Sequence, residues 1–545
     1  MTTATTTIDR RTLLATGMLS VGALALPGFS LAQGLGALSG FTHAVASGEP
    51  AADSVLLWTR YVPAGGGAAE MRVEVAEAPD FARVVAGGAQ VTGPWRDHTA
   101  KITVDGLQPG RVYLYRFVAP DGSFSSVGRT RTLPGGGTRP WRAAIFSCSN
   151  MGYGWFNAYG HAAARDDLDC AIHLGDYFYE YAPDHYPAAK DKVAGRDPLP
   201  DAATVHVADY RLRYASYRAD PDLQALHAKL PMIAQWDDHE SANDSWEGGA
   251  ENHDPAKEGD WFLRKAAAIQ VYREWMPVSD EPWKAYDVGG LATLFRTETR
   301  LLARTKQPDV AALFKQADPA AALKAFRDGA WMDPAATMMG SQQETWLSHA
   351  MQASVGSGRP WQIVGFGTIM GQTRMPAGAA GLLGGAGTER ARTFVEHGIA
   401  AGAIGLPFNY DNWGGYPAAR ARFLRSVQAI GGNTVVISGD SHNGWAYNLS
   451  HDGRPAAVEF AGHSVSSPGF ESAFAADPRT VAAALFAGNA ELAWCDTSRR
   501  GYMALTVAAD RVRNDWIMVD TIKTRSPRAS VGHSATVWPG RRSIA

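Results

Sequence analysis

A chain of 545 residues, 46% of them hydrophobic, has ample apolar content for a large core and, by length, for two to four domains. Its 51 Lys and Arg nearly balance 54 Asp and Glu, and the net charge of −3 supplies no basic stripe for nucleic acid or an anionic membrane. Three cysteines fit an enzyme better than a disulfide scaffold.

Residues 1–32 read as an export signal: Arg10 and Arg11 precede an apolar run reaching Leu26, and Ser30-Leu31-Ala32 offers a small-x-small cleavage site. That run falls short of the roughly 18 residues a spanning helix needs. The mature protein is therefore expected in the periplasm or secreted, delivered by the twin-arginine (Tat) machinery, with no membrane span.

From 41 to 133 the pattern is all-β. Ser54–Trp58, Met71–Val75, Lys101–Val104 and Val112–Val118 are short runs of β-branched and aromatic residues between Gly, Pro and Asp turns. They predict a fibronectin- or Ig-like sandwich. Leu133–Pro140 reads as a linker, 141–525 as one catalytic domain and 526–545 as a C-terminal tail.

Within 141–525 strands alternate with helices, as in an α/β domain. Helices are expected over Trp155–Arg165 and Asp209–Arg218, and the second carries Arg211 and Arg213, either of which suits an anion clamp. Glu251 to Met276 reads as a lid-like loop entering a helix and Val310–Leu323 as an Ala-rich helix. Ser341 looks like an N-cap, with Glu344 three residues on. Trp361–Thr368 reads as a strand, and the Gly/Ala-rich runs 377–387 and 398–405 as loops. Ala457–Phe460 and Met503–Val507 are expected to complete a second sheet.

Four of the expected strands end in chemistry-bearing residues. Arg142–Ser147 leads to Cys148; Ala171–Leu174 leads to Gly175-Asp176-Tyr177-Phe178-Tyr179-Glu180; Met232–Trp236 leads to Asp237-Asp238-His239-Glu240; Asn433–Ser438 leads to Gly439-Asp440-Ser441-His442. Ligands of α/β sheets collect at the carboxyl ends of strands. One such end is commonly a helix cap or turn, and Asp237–Glu240 alone reads as an acidic N-cap. Four together, in metal-binding residue types, favour a site.

Carboxylates suit hard divalent ions, thiolate and imidazole pull toward iron, zinc or copper, and a Tyr179 phenolate favours ferric iron. Asp176 is the natural bridge between two ions, with Cys148, Tyr179 and His442 on one side and Asp238 and Asp440 on the other. Two such ions clamp a phosphoryl group and make water the nucleophile. His239 then serves as donor or general acid. Cys170, inside a buried strand, reads as an inert thiol, and a Cys170–Cys495 disulfide is left open.

Ala46-Ser47-Gly48-Glu49-Pro50, Leu57-Trp58-Thr59-Arg60, Phe146-Ser147-Cys148-Ser149, the Gly175–Glu180 and Trp236–Glu240 runs, Trp413-Gly414-Gly415-Tyr416-Pro417 and Gly439–His442 resemble the PhoD-type alkaline phosphatases, a branch of the calcineurin-like metallophosphoesterases. The resemblance covers nearly the whole mature chain. It implies an αββα metallophosphoesterase sandwich behind the N-terminal β-sandwich, with a mixed Fe3+ and Ca2+ centre; Mn2+, Mg2+ or Zn2+ are the substitutes.

By motif position Cys148, Asp176, Tyr179 and His442 match iron ligands, and Asp176, Asp238 and Asp440 match residues around calcium. His239 matches a phosphate-contacting histidine and Arg211 a phosphate-binding arginine; Asn243 has no assigned role. Two features depart from the family pattern and bear on substrate range: Glu298 stands where an aspartate is common, and 377–405 is unusually apolar.

The expected function is a secreted, metal-dependent hydrolase of phosphate mono- or diesters. A phospholipase-type phosphodiesterase is the nearest rival, and an exported binding protein with a structural metal the rival from another class.

Overall fold

The computed structural model of the protein describes residues 39–136, 139–383 and 389–544. The export signal expected over 1–32 lies outside the described residues. Two sheets face each other across one apolar layer. In the first, nine strands run in the spatial order Ala529–Val537, Arg511–Val519, Gly501–Ala508, Trp141–Phe146, Cys170–His173, Met232–Ala234, Gly40–Gly48, Val55–Val62 and Thr99–Val104. In the second, seven strands run Lys284–Val288, Ala292–Arg296, Trp361–Phe366, Asn433–Ser438, Arg454–Ala461, Gly444–His451 and Leu492–Asp496.

The central strands are parallel and buried at nearly every residue, as strands covered on both faces must be. Ile145, Ile172 and Ile233 of the first sheet meet Ile363, Val435 and Ile437 of the second in the shared core. Indole N–H groups stitch the layers: Trp361 Nε1 donates to the Ala508 carbonyl at 2.7 Å and Trp516 Nε1 to Ala461 at 3.0 Å. Helices Asn157–Ala163, Val207–Arg218, Pro221–Lys229 and Trp261–Trp275 pack on the outside of the first sheet. Helices Gly340–Gly356, Pro417–Ile430 and Pro478–Gly488 cover the second. This is the αββα arrangement expected.

The N-terminal sandwich is built in part from the catalytic sheet. Strands Gly40–Gly48, Val55–Val62 and Thr99–Val104 extend the nine-stranded sheet and face a four-stranded sheet of Val84–Thr92, Ala69–Ala76, Val112–Val118 and Gly128–Arg131. The junction is parallel pairing of Gly48 with Met232. A Cβ on Gly48 would lie 2.0 Å from the Pro277 carbonyl oxygen, so only glycine lets the two units approach this closely.

Several local expectations change. Residues 529–537 form an edge strand paired with Arg511–Val519 and are not a tail. Met503–Val507 joins the first sheet beside Trp141–Phe146, because Gly501–Ala508 pairs antiparallel with that strand. The helix after Met339 starts at Gly340, and Thr337 Oγ1, not Ser341, accepts the Gly340 N–H at 2.8 Å. The expected Ala-rich helix begins late, at Pro319 behind an Asp318 cap. Residues 398–403 belong to helix Glu389–Ala403: tertiary packing overrides the weak helix propensity of Gly398 and Gly402. All three cysteines are buried and free, so Cys170 and Cys495 form no disulfide.

Candidate metal centre

The carboxyl ends of Trp141–Phe146, Cys170–His173, Met232–Ala234 and Asn433–Ser438 open on one point. The loops leaving the first two are pinned to each other by main-chain bonds, Cys148 N–H to Gly175 O at 3.2 Å and Ser149 N–H to Asp176 O at 2.8 Å, and the loop after strand Arg454–Ala461 joins them through Val465 N–H to Ser147 O at 3.0 Å. Gly175 has φ +115°, and a Cβ there would lie 2.4 Å from Cβ of Asp237, so the turn into Asp176 needs glycine. Cys148, Asp176, Asp440 and His442 all carry positive φ, between 55° and 65°. Non-glycine residues pay for that conformation, and it concentrates where the surroundings hold side chains for a purpose.

Ligand-type atoms of Cys148, Asp176 and His442 lie within 4.8 Å of one another, as do those of Asp176, Asp238 and His239 and those of Asp237, Asp238 and Asp440. Tyr179 Oη sits 2.9 Å from His442 Nε2 and 3.3 Å from Asp176 Oδ2, and accepts from Ser467 Oγ at 2.8 Å. The His442 Nδ1–H donates to the Pro468 carbonyl at 2.8 Å, which leaves Nε2 facing the cluster. Burial pushes the His442 imidazole down to about 3, the neutral form a ligand requires. All seven metal and histidine positions expected from the sequence, 148, 176, 179, 238, 239, 440 and 442, are thus brought together.

Burial, followed by the neighbouring acids Asp238, Asp237 and Glu240, pushes the Asp176 carboxyl far up, against the pull of His239. Asp440 is raised by burial and by Asp237. Burial also opposes ionisation of Asp238, but Arg300, His239 and the Asp244 N–H outweigh it and hold that carboxyl low. Burial raises the Cys148 thiol and the Tyr179 phenol, and Asp176 adds to both. Asp176 Oδ1 and Asp238 Oδ1 are buried with no hydrogen-bond partner. Buried carboxylate oxygens without partners are costly, and bound cations relieve that cost. The mixed thiol, phenol and imidazole set around Asp176 suits a transition metal, and the all-oxygen set around Asp238 and Asp440 suits a hard divalent ion.

Sequence reading missed the cationic brace of this cluster. Arg300, fully buried, grips Asp237 through Nε at 2.7 Å and Nη2 at 2.9 Å, reaches Asp411 through Nη1 at 2.6 Å, and lies 3.7 Å from Asp238. Arg304 also binds Asp411. The signal was there in Glu298: its carboxylate accepts N–H groups of Arg300, Leu301 and Leu302 and the Trp236 indole, so the longer side chain shapes the Arg300 turn. A further acidic group, Asp238, Asp244 and Asp411, adjoins the first three.

Arg211 is not brought to the cluster. Its guanidinium binds Glu274 twice at 2.7 Å and the carbonyls of Trp95 and Pro94, because its helix face turns toward the N-terminal strands. Arg213 is buried and spends its donors on the carbonyls of Tyr179, Leu199, Pro200 and Ala202, bracing the loop after strand Cys170–His173. Neither is left free as an anion clamp. Asn243 supports Glu180 through its N–H at 2.7 Å.

Comparison with known proteins places the whole chain beside characterised phosphatases. The PhoD-like phosphatase model matches residues 143–516, and the model of the PhoD-like phosphatase N-terminal domain matches 32–134. Alkaline phosphatase D of Bacillus subtilis (strain 168) is 30% identical, over 94% of this chain and 84% of that protein. A solved structure of PhoD superposes with a TM-score of 0.76 at 28% identity, covering 93% of this chain and 92% of that one. A purple acid phosphatase from yellow lupin (Lupinus luteus) seeds shares the fold at a TM-score of 0.54 and 13% identity, over 92% and 74% of the two chains. With family models matched along both the N-terminal and the catalytic regions, the chain belongs to the PhoD-like phosphatases and is a phosphoric ester hydrolase.

Proposed function

We propose that this phosphatase hydrolyses phosphate mono- or diesters outside the cytoplasm, using two metal ions that share Asp176. Cys148, Tyr179 and His442 would complete the site of a ferric ion, and Asp238 and Asp440 the site of calcium. The observation that carries this reading is the pair of buried, unpartnered carboxylate oxygens on Asp176 and Asp238, set among thiol, phenol and imidazole groups. When bound, the ions supply charge neutralisation for a phosphoryl group and activation of water.

The chain's own residues do the rest. His239 keeps its proton: burial alone would lower its pKa, but Asp238, Glu180 and Asp176 raise it well above the ordinary value. With Nδ1 held by Glu180, the other ring nitrogen is available to donate to a phosphoryl oxygen or the departing alcohol. Arg300 fixes Asp237 and Asp411 and keeps Asp238 ionised, so that this carboxylate is in place to meet a cation. Membership in a hydrolase family leaves the non-catalytic rival without support, while a phospholipase-type diesterase stays within this proposal as a substrate class.

Export by the Tat route rests on Arg10-Arg11 and the apolar run behind them. Among the described residues no helix is long and apolar enough to cross a membrane. The test is elemental analysis of the purified protein with its visible spectrum and the hydrolysis of 4-nitrophenyl phosphate and its bis-ester, before and after metal stripping. One iron with calcium and a broad visible band are expected. Two zinc ions, or full activity without metal, would overturn the ligand assignment.

A further inference from the structure

The acidic group Asp238, Asp244 and Asp411 opens on a cavity of about 460 Å³ that Asp244 and Asp411 also line. That volume lies in the range that buries a small organic ligand, roughly 300–1,000 Å³. Its far wall comes from the Gly/Ala-rich stretch that departs from the family pattern: Phe394, His397 and Ala401 of helix Glu389–Ala403, followed by Phe408 and Tyr410. Phe314 faces them from the 311–315 turn. Apolar walls continuous with the metal cluster place an organic group beside the reacting phosphorus.

The ring geometry narrows the class of that group. Phe314 and His397 stack on each other, centroids 3.7 Å apart and planes parallel within 1°, and Lys306 covers the Trp246 ring at 5.0 Å. Phe394 and Phe408 meet edge to face at 89°. The rings thus pair with one another or with a lysine along the wall. Of the four carboxylates that line the cavity, Asp244, Glu251, Asp309 and Asp411, the last is held by Arg300 and Arg304. A flat apolar ring suits such edges and aliphatic walls. Tyr410 and Gln307 also line the cavity, and the Tyr410 hydroxyl and Gln307 Oε1 are buried in its wall without hydrogen-bond partners.

We propose that this cavity is the subsite for the organic substituent of the ester, and that it selects an aromatic group over a small alkyl one. The proposal rests on the phosphoesterase reading of the adjoining cluster. It is tested with two non-hydrolysable probes, phenylphosphonate and methylphosphonate, as inhibitors of 4-nitrophenyl phosphate hydrolysis by the purified holoenzyme. Phenylphosphonate is expected to inhibit about tenfold or more tightly than methylphosphonate, the worth of burying one ring.

Ala311 is exposed at the cavity rim and Phe394 is 43% exposed, so Ala311→Trp, which fills the space, and Phe394→Ala, which opens it, spare the core. Both are expected to close the gap between phenyl- and methylphosphonate while leaving the methylphosphonate constant within about twofold. Equal inhibition by the two in the wild-type protein, or an undiminished gap in both variants, would overturn the subsite. Absence of any 4-nitrophenyl phosphate or bis-ester hydrolysis by metal-replete protein would instead overturn the phosphoesterase reading on which it rests.

Discussion

Glu180 Oε2 lies 2.7 Å from His239 Nδ1, and the other Glu180 oxygen is held by the Asn243 N–H and by Asn252 Nδ2, both at 2.7 Å. Glu180 is fully buried, and although burial opposes its ionisation, His239 keeps it charged. The carboxylate therefore fixes both the orientation and the protonation of the imidazole. Glu180→Gln is expected to lower kcat about 10- to 100-fold with little change in KM, the usual worth of a supporting partner to a general acid. Because the carboxylate raises the His239 pKa, its loss moves the alkaline fall in activity to lower pH. A kcat–pH profile beside His239→Asn checks this; an unchanged profile would show that the pair has no part in turnover.

Asp176→Asn removes the one carboxylate shared by both proposed ions. Loss of activity by about three orders of magnitude or more is expected, with near-native circular dichroism, since the amide retains the shape but not the charge. Tyr179→Phe is expected to bleach the visible band of an iron-loaded protein, while retaining part of the bound iron. Absorption and iron content measured together separate lost colour from lost metal.

The buried Glu49–Arg296 pair ties the N-terminal strand end to the second sheet, with Lys284 at 2.8 Å and Ser279 Oγ at 3.0 Å as further partners of the carboxylate. Burial works against the charge, but Arg296 and Lys284 hold Glu49 down to about 2, below its ordinary 4.5. A depressed carboxylate stabilises the fold above the unfolded pKa and ceases to do so as pH falls through the folded one. Its share, about 3 kcal/mol by linkage, is therefore present at pH 7 and is lost between about pH 4.5 and 2. Glu49→Gln is expected to destabilise by at least that much at pH 7, since Arg296 is left without its carboxylate, and the deficit should shrink as pH approaches 2. Urea unfolding of both proteins at pH 7 and pH 3 measures it.

Arg211→Ala is expected to leave KM for phosphate esters unchanged within about twofold and to cost about 1–3 kcal/mol in stability, because its donors hold Glu274 and the Pro94–Trp95 turn. Steady-state kinetics and a melting curve on one preparation check both halves. A tenfold rise in KM with stability intact would restore the anion-clamp role.

Four residues of the candidate cluster were legible because each sits just past a run of buried apolar residues. A strand hidden on both faces is written as a continuous apolar stretch, and the polar residue that ends it marks where the chain leaves the core. Cys148, Asp176, Asp238 and Asp440 carry that signature. Strand Val84–Thr92, largely exposed, and edge strand Ala529–Val537, mostly half-buried, were missed, since both carry little alternation. Helix Glu389–Ala403 was hidden by its glycines, whose low propensity is a weak term beside packing.

Local hydrophobic pattern and residue chemistry are enough for the fold class, the family resemblance and the candidate ligand residues. Which charges meet is settled only once the chain is folded. Arg211, near the motifs in sequence order, is drawn to Glu274, whereas Arg300, more than sixty residues from Asp237, becomes its bidentate partner. Electrostatic partnership depends on distance and burial in space, and the pairing of two sheets from distant segments is what sets those distances. The same pairing puts the Phe394–Tyr410 wall beside Asp244 and Asp411, a neighbourhood that no stretch of the chain spells out.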